Sequence, residues 1–140
     1  MHDRKDPHSA GNIDHLAVAT SGVWVIDAKN LSGTVEFRNK GSWLTPNRRL
    51  YVGGRDRTKL ITGLAWQVAA VRLALGDLDG VPIYPVVCII AEWPLLPQAF
   101  QLDGVQVLWP RRLAKVIAKP GPLTNIDPII DRLAATLAPT

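Results

Sequence analysis

Three residues in this chain have types and spacing that suit chemistry on a phosphate: Asp14, Asp27 and Lys29. They stand at the far ends of two apolar, β-branched runs, Ile13 to Ala19 and Val23 to Lys29, separated by Thr20-Ser21-Gly22. Runs of this kind around a short polar segment predict strand, tight turn, strand. With Ser21-Gly22 as a two-residue turn, Thr20 pairs with Val23, Leu16 with Asp27, and Asp14 with Lys29. Side chains alternate faces along a strand. Asp14, Leu16 and Val18 then share a face with Val23, Val25, Asp27 and Lys29, while Ile13, Ala17, Trp24 and Ile26 form the inward face. Opposite Cβ atoms lie about 5 Å apart and diagonal ones about 7–8 Å. Two carboxylates and an ammonium would therefore converge at the end of the hairpin away from its turn. A three-residue turn would put the two aspartates on opposite faces.

Two carboxylates so close repel each other unless a cation lies between them. Mg²⁺ (or Mn²⁺) suits such a pair, because it takes oxygen ligands at about 2.0–2.1 Å and keeps several waters. A cation held this way can bind a phosphate oxygen and activate a water. Lys29 shares the face, where its ammonium can hold the attacking water or steady charge in the transition state. The carbonyl of Ala28, between Asp27 and Lys29, could be a further ligand. The plainer alternative is a surface salt bridge between Asp14 and Lys29.

The elements that must position these residues follow from periodicity. Leu31 to Leu44 reads as a second hairpin turning at Asn39-Lys40-Gly41, and Pro46 to Arg57 as a loop containing Gly53-Gly54. Thr58 can cap a helix running to about Leu75, with Leu60, Leu64, Val68, Val71 and Leu75 as its apolar stripe. Ile83 to Ile90 is apolar on both faces, as a covered central strand requires. Val105 to Trp109 is a short strand, Pro110 opens a helix to about Ala118, and Asp127-Pro128 starts the last helix, with Ile129, Ile130, Leu133 and Leu137 on one side. The order predicts an α/β domain, a mixed β-sheet with N-terminal β-hairpins flanked by helices. Residues 1–11 read as a ragged lead-in and 12–140 as one domain.

Composition narrows the function classes. The 140 residues suit one core. No apolar run reaches the roughly 18 residues needed to cross a bilayer: Val81 to Ala91 is broken by Pro82 and Pro85. The polar, charged residues 1–11 cannot be the apolar centre of a signal peptide, so the expected location is cytoplasmic, with no membrane partner. Cys88 stands alone, which excludes an internal disulfide, and its apolar neighbours predict a buried thiol. The net charge is +4, yet Val35 to Leu60 alone holds seven Lys or Arg against two acids. A clustered basic stretch suits a polyanion. Arg48, Arg49, Arg55 and Arg57 are the candidate nucleic-acid contacts, and ordinary solvated charge is the alternative.

The segments Asn12 to Leu16, Ser21 to Asn30 and Ser32-Gly33 together resemble the NERD (nuclease-related) domain family. Gly53-Gly54-Arg55, Ala65-Trp66-Gln67, Val105–Pro110 and Pro120–Leu123 are also similar to it, so the resemblance runs through nearly the whole chain. The family is similar to the PD-(D/E)xK nucleases. The resemblance implies a restriction-endonuclease-like core, a Mg²⁺-dependent phosphodiesterase site and nucleic acid, DNA first, as substrate. It matches Asp14 to the first acid, Asp27 and Lys29 to the acid-x-lysine pair, and Gln67 to a helical glutamine seen in some of these nucleases. It also implies a preceding helix with a Gly-Glu segment whose glutamate completes the site. This chain starts after that segment, so the expectation is a domain truncated at its N-terminus; Glu36 and Glu92 stand in the wrong segments to replace that acid. The readings left open are a Mg²⁺-dependent nuclease domain, an inactive module that binds nucleic acid or a protein, and a fragment without a function of its own.

Overall fold

In a computed structural model of the protein, the backbone is described for residues 4–5, 12–13, 15–98 and 100–137, and side chains for 15–98 and 100–137. The chain order is β1 (Arg4–Lys5), β2 (Asn12–Ile13), β3 (His15–Ala19), β4 (Gly22–Asn39), β5 (Arg48–Val52), β6 (Arg55–Asp56), α1 (Lys59–Thr62), α2 (Ala65–Leu75), β7 (Ile83–Glu92), β8 (Phe100–Leu102), β9 (Val105–Leu108), α3 (Pro110–Ala118) and α4 (Asp127–Thr136). Seven strands form one mixed sheet in the order β6-β5-β4-β7-β9-β8, with β3 paired to β4. Three longer helices, α2, α3 and α4, flank it. This is an α/β domain with a mixed sheet, consistent with an α/β nuclease-like core. From the lead-in, β1 pairs antiparallel with β2 at the start of the domain.

Strand β4 organises the molecule. Its first half pairs antiparallel with β3 and parallel with β7; its second half pairs antiparallel with β5. Val23, Val25, Val35 and Phe37 face the larger core with Leu64, Val71, Leu75, Val87, Ile89, Ile129 and Leu133. Trp24 and Ile26 face a smaller core with Val86, Cys88, Leu108 and the α3 residues Leu113, Val116 and Ile117. Both faces of the first hairpin are thus covered, rather than the Trp24 face alone. Opposite Asn30 to Thr34 of β4, strand β7 advances only from Ile90 to Glu92. The two surplus residues form a bulge. Because the surplus is even, odd-numbered residues keep to the same face on both sides of it.

Three expected elements are corrected. Leu31 to Leu44 is no separate hairpin, because β4 runs on to Asn39 and turns back into β5. The expected 46–57 loop is mostly the β5–β6 hairpin, closed at Gly53-Gly54, both at positive φ. The expected helix from Thr58 to Leu75 breaks at Gly63 into α1 and α2. Thr58 makes no side-chain cap there; its Oγ1 accepts a hydrogen bond from Leu50 N at 2.9 Å, tying β5 to the helix entry. Strands β7 and β9 and helices α3 and α4 lie where the periodicity places them, although Ile130 is exposed. Cys88 is buried, and desolvation pushes its thiol pKa up. No helix among the described residues is long and apolar enough to cross a membrane.

Candidate active site

The turn of the first hairpin is Thr20-Ser21, since Ala19 pairs with Gly22 and Leu16 with Val25. The expected pairing of Leu16 with Asp27 is therefore displaced by two residues. The cause lies in Gly22. At φ +147° it opens β4 against residues 82–84, and a Cβ there would stand 2.7 Å from the Pro82 carbonyl oxygen. The glycine is needed for this close approach, not for the turn. Ser21 Oγ accepts from Trp24 Nε1 at 2.9 Å and donates to the Ile117 carbonyl at 3.0 Å, fastening the turn to α3. A displacement of two leaves the alternation of faces intact, so Asp27 and Lys29 share the face of Leu16 and Val18. Asp14 lies outside the described residues.

Asp27 is 7% exposed, flanked in β7 by Val87. A carboxylate so buried is costly unless a charge or hydrogen bond compensates it. Lys29 supplies that charge: its Nζ lies 3.2 Å from Asp27 Oδ1, with its side chain 41% exposed. The pair spans the boundary between core and solvent, with the carboxylate on the inner side. Ala28, between them, pairs with Cys88 in the β4–β7 ladder.

Gln67 enters from the helix that lies over this face. Leu64, Gln67 and Val71 are helical neighbours, and Leu64 and Val71 belong to the core under which Val25 and Val87 lie. Gln67 is 6% exposed, more buried than Val68, which the apolar stripe assigned to the core. Its Oε1 is buried with no hydrogen-bond partner among the described residues. A hard oxygen donor left unpaired in a core, on the sheet face that carries Asp27 and Lys29, suits a cation or a water. Asp27 and Gln67 thus offer the oxygen donors that a Mg²⁺-type ion takes. Among the described residues, no three of His, Cys, Asp or Glu gather into a metal-binding group.

The four candidate arginines do not form one patch. Arg48 and Arg49 are adjacent in β5 and alternate faces. Arg49 pairs with Asp56 at 2.8 Å, and Asp56 is held down to a pKa of about 2, first by hydrogen bonds from Thr58 and then by Arg49. Arg55 is exposed opposite Val52, and the buried Nε of Arg57 has no hydrogen-bond partner among the described residues. Sequence reasoning counted Arg38 and Lys40 in the basic stretch without assigning them as contacts, and it missed Tyr51. Arg38 and Arg49 are cross-strand partners, the Arg38 guanidinium lies 4.3 Å from the Tyr51 ring centroid, and Lys40 Nζ lies 5.3 Å from it. The signal was the alternation of Glu36, Arg38 and Lys40 with Val35, Phe37 and Asn39.

The profile of the nuclease-related domain matches residues 1–90, the stretch holding Asp14, Asp27, Lys29, Gln67 and the basic hairpin. The closing segments from Val105 onward lie beyond that match. No curated protein and no solved structure matches the chain. With the match spanning well over half of the 140 residues, the chain belongs to the nuclease-related domain (NERD) family.

Proposed function

We propose that this domain hydrolyses phosphodiester bonds of nucleic acid with a divalent metal, Mg²⁺ or Mn²⁺, held by Asp27 and Asp14 with the Ala28 carbonyl nearby. The single observation behind this reading is the buried Asp27 carboxylate with Lys29 Nζ 3.2 Å away, at the core boundary. When bound, the cation supplies Lewis acidity and lowers the pKa of a coordinated water. Asp27 holds its carboxylate fixed by burial within a ladder paired on β7. The half-exposed Lys29 ammonium, which rests 3.2 Å from Asp27 Oδ1, would turn to a phosphate oxygen and steady the negative charge that grows there. Gln67, buried on the same sheet face with its Oε1 unpartnered among the described residues, would offer its amide oxygen to the cation or to a bound water. The test is cleavage of plasmid and linear DNA, and of RNA, by the purified chain with Mg²⁺, Mn²⁺ or excess chelator. Asp27→Asn should abolish metal-dependent cleavage while the far-ultraviolet spectrum stays unchanged. Cleavage that persists in Asp27→Asn or in chelator rules the mechanism out.

The basic β4–β5–β6 arm favours a second reading, a module that binds nucleic acid without cutting it. Arg48 and Arg55 are exposed and make no ion pair among the described residues. Each phosphate contact they make releases counterions, so Arg48→Ala with Arg55→Ala should flatten the slope of log affinity against log salt by about two at most. Binding by wild type without any cleavage selects this reading; equal slopes for wild type and the double variant remove both arginines from the interface.

A further inference from the structure

The far end of the β4–β5 hairpin presents an apolar tip on a cationic stem. Trp43 is 86% and Leu44 72% exposed. The loop carrying them is closed by its own hydrogen bonds. Lys40 N donates to the Asn47 carbonyl, Ser42 N to the Thr45 carbonyl, and Gly41 N and Asn47 N both to Asn39 Oδ1. The two side chains are therefore held out in water by an ordered turn, where burying them against a partner would be favourable. Lys40 at the entry of the turn and Arg48 at the start of β5 flank it, both exposed and without an ion pair among the described residues, while Arg38 on β4 pairs with Glu36 and Arg49 on β5 with Asp56. Such a stem fits a polyanion, and an exposed indole fits the open face of an unpaired base, since base–aromatic stacking and cationic contacts are how single strands are held without sequence preference.

We propose that this tip binds single-stranded nucleic acid, with Trp43 stacking on a base and Lys40 and Arg48 tracking the phosphates. The inference rests on the nucleic-acid reading above and narrows its substrate to molecules with an unpaired segment. Along β4, allowing for the bulge, Asn39 lies roughly 33 Å from Asp27, about one duplex turn. The unpaired segment would thus be gripped well away from the bond being cut.

The test is fluorescence anisotropy in chelator, so that cleavage plays no part, with labelled oligothymidine and a blunt duplex of equal length. Trp43→Ala should weaken oligothymidine binding about tenfold, Trp43→Phe should restore most of it, and duplex binding should stay as in wild type. Because Trp43 is exposed, the variants should keep the wild-type thermal midpoint. Equal oligothymidine binding by wild type and Trp43→Ala overturns the inference and leaves the cut site standing. Wild type binding neither probe overturns the nucleic-acid reading itself. Co-sedimentation with phosphatidylserine vesicles that depends on Trp43, with no loss on oligothymidine, assigns the tip to membranes instead and also overturns it.

Discussion

Lys29 Nζ sits 3.2 Å from Asp27 Oδ1 although the two residues are separated by one residue on a single strand. Strand geometry places their side chains on the same face, so the half-exposed lysine reaches back over the buried carboxylate. Removing the lysine leaves that carboxylate with less compensation. Lys29→Ala should cost about 1 kcal/mol in urea unfolding, the modest value reflecting how far Lys29 is already solvated. A stability equal to wild type would mean that contacts other than Lys29 compensate the buried Asp27 carboxylate.

Gln67 separates structure from chemistry. Its Oε1 is buried without a hydrogen-bond partner among the described residues, a condition that costs about 1–3 kcal/mol. Gln67→Leu should therefore raise the thermal midpoint while lowering metal-dependent cleavage. Loss of both stability and activity would show that Gln67 is a satisfied core residue.

Glycines 33 and 54 should respond in opposite degree. Gly33, at φ +108°, passes so close to Gly53 that an added Cβ would overlap the Gly53 Cα. Gly54, at φ +78°, has nothing within 4 Å of that position. Gly33→Ala should cost more than about 3 kcal/mol, and Gly54→Ala about 1 kcal/mol from backbone strain alone. Denaturant midpoints of the two variants check the contrast, and equal losses would contradict the crossing of the two segments.

Asp56 sets an acid limit on the basic arm. Its pKa falls from 3.8 to about 2 on folding, chiefly through hydrogen bonds from Thr58. A depressed folded value adds stability above the unfolded pKa. That stability is lost as pH falls from about 4 to about 2. Asp56→Asn should lower stability at neutral pH without changing its slope there, and flatten the pH dependence in that acid window. An acid limb as steep in the variant as in wild type would place the transition elsewhere.

Much of the fold was legible because apolar alternation fixes faces even where it leaves register open. Asp27 and Lys29 kept the same face as Leu16 and Val18 although the pairing slid by two, since an even slide conserves parity. The turn was misplaced because Gly22 reads as a turn residue, while its role is to admit the Pro82 carbonyl. The arm was missed because Pro46 and Gly53-Gly54 look like loop residues, and only pairing with the long β4 makes β5 and β6 strands. The split at Gly63 and the burial of Gln67 in place of Val68 are linked: once α2 restarts after the glycine, its core face is set by Leu64, Gln67 and Val71.

The bulge between Asn30 and Thr34 carries a rule for how this domain could change length. Deleting one residue there would turn Val35 and Phe37 toward solvent and bring Glu36 and Arg38 into the core, inverting the whole arm. Deleting two would keep every face and only shorten its reach. Variation in the arm should accumulate in pairs of residues, and its length can drift without disturbing the strand that carries Asp27.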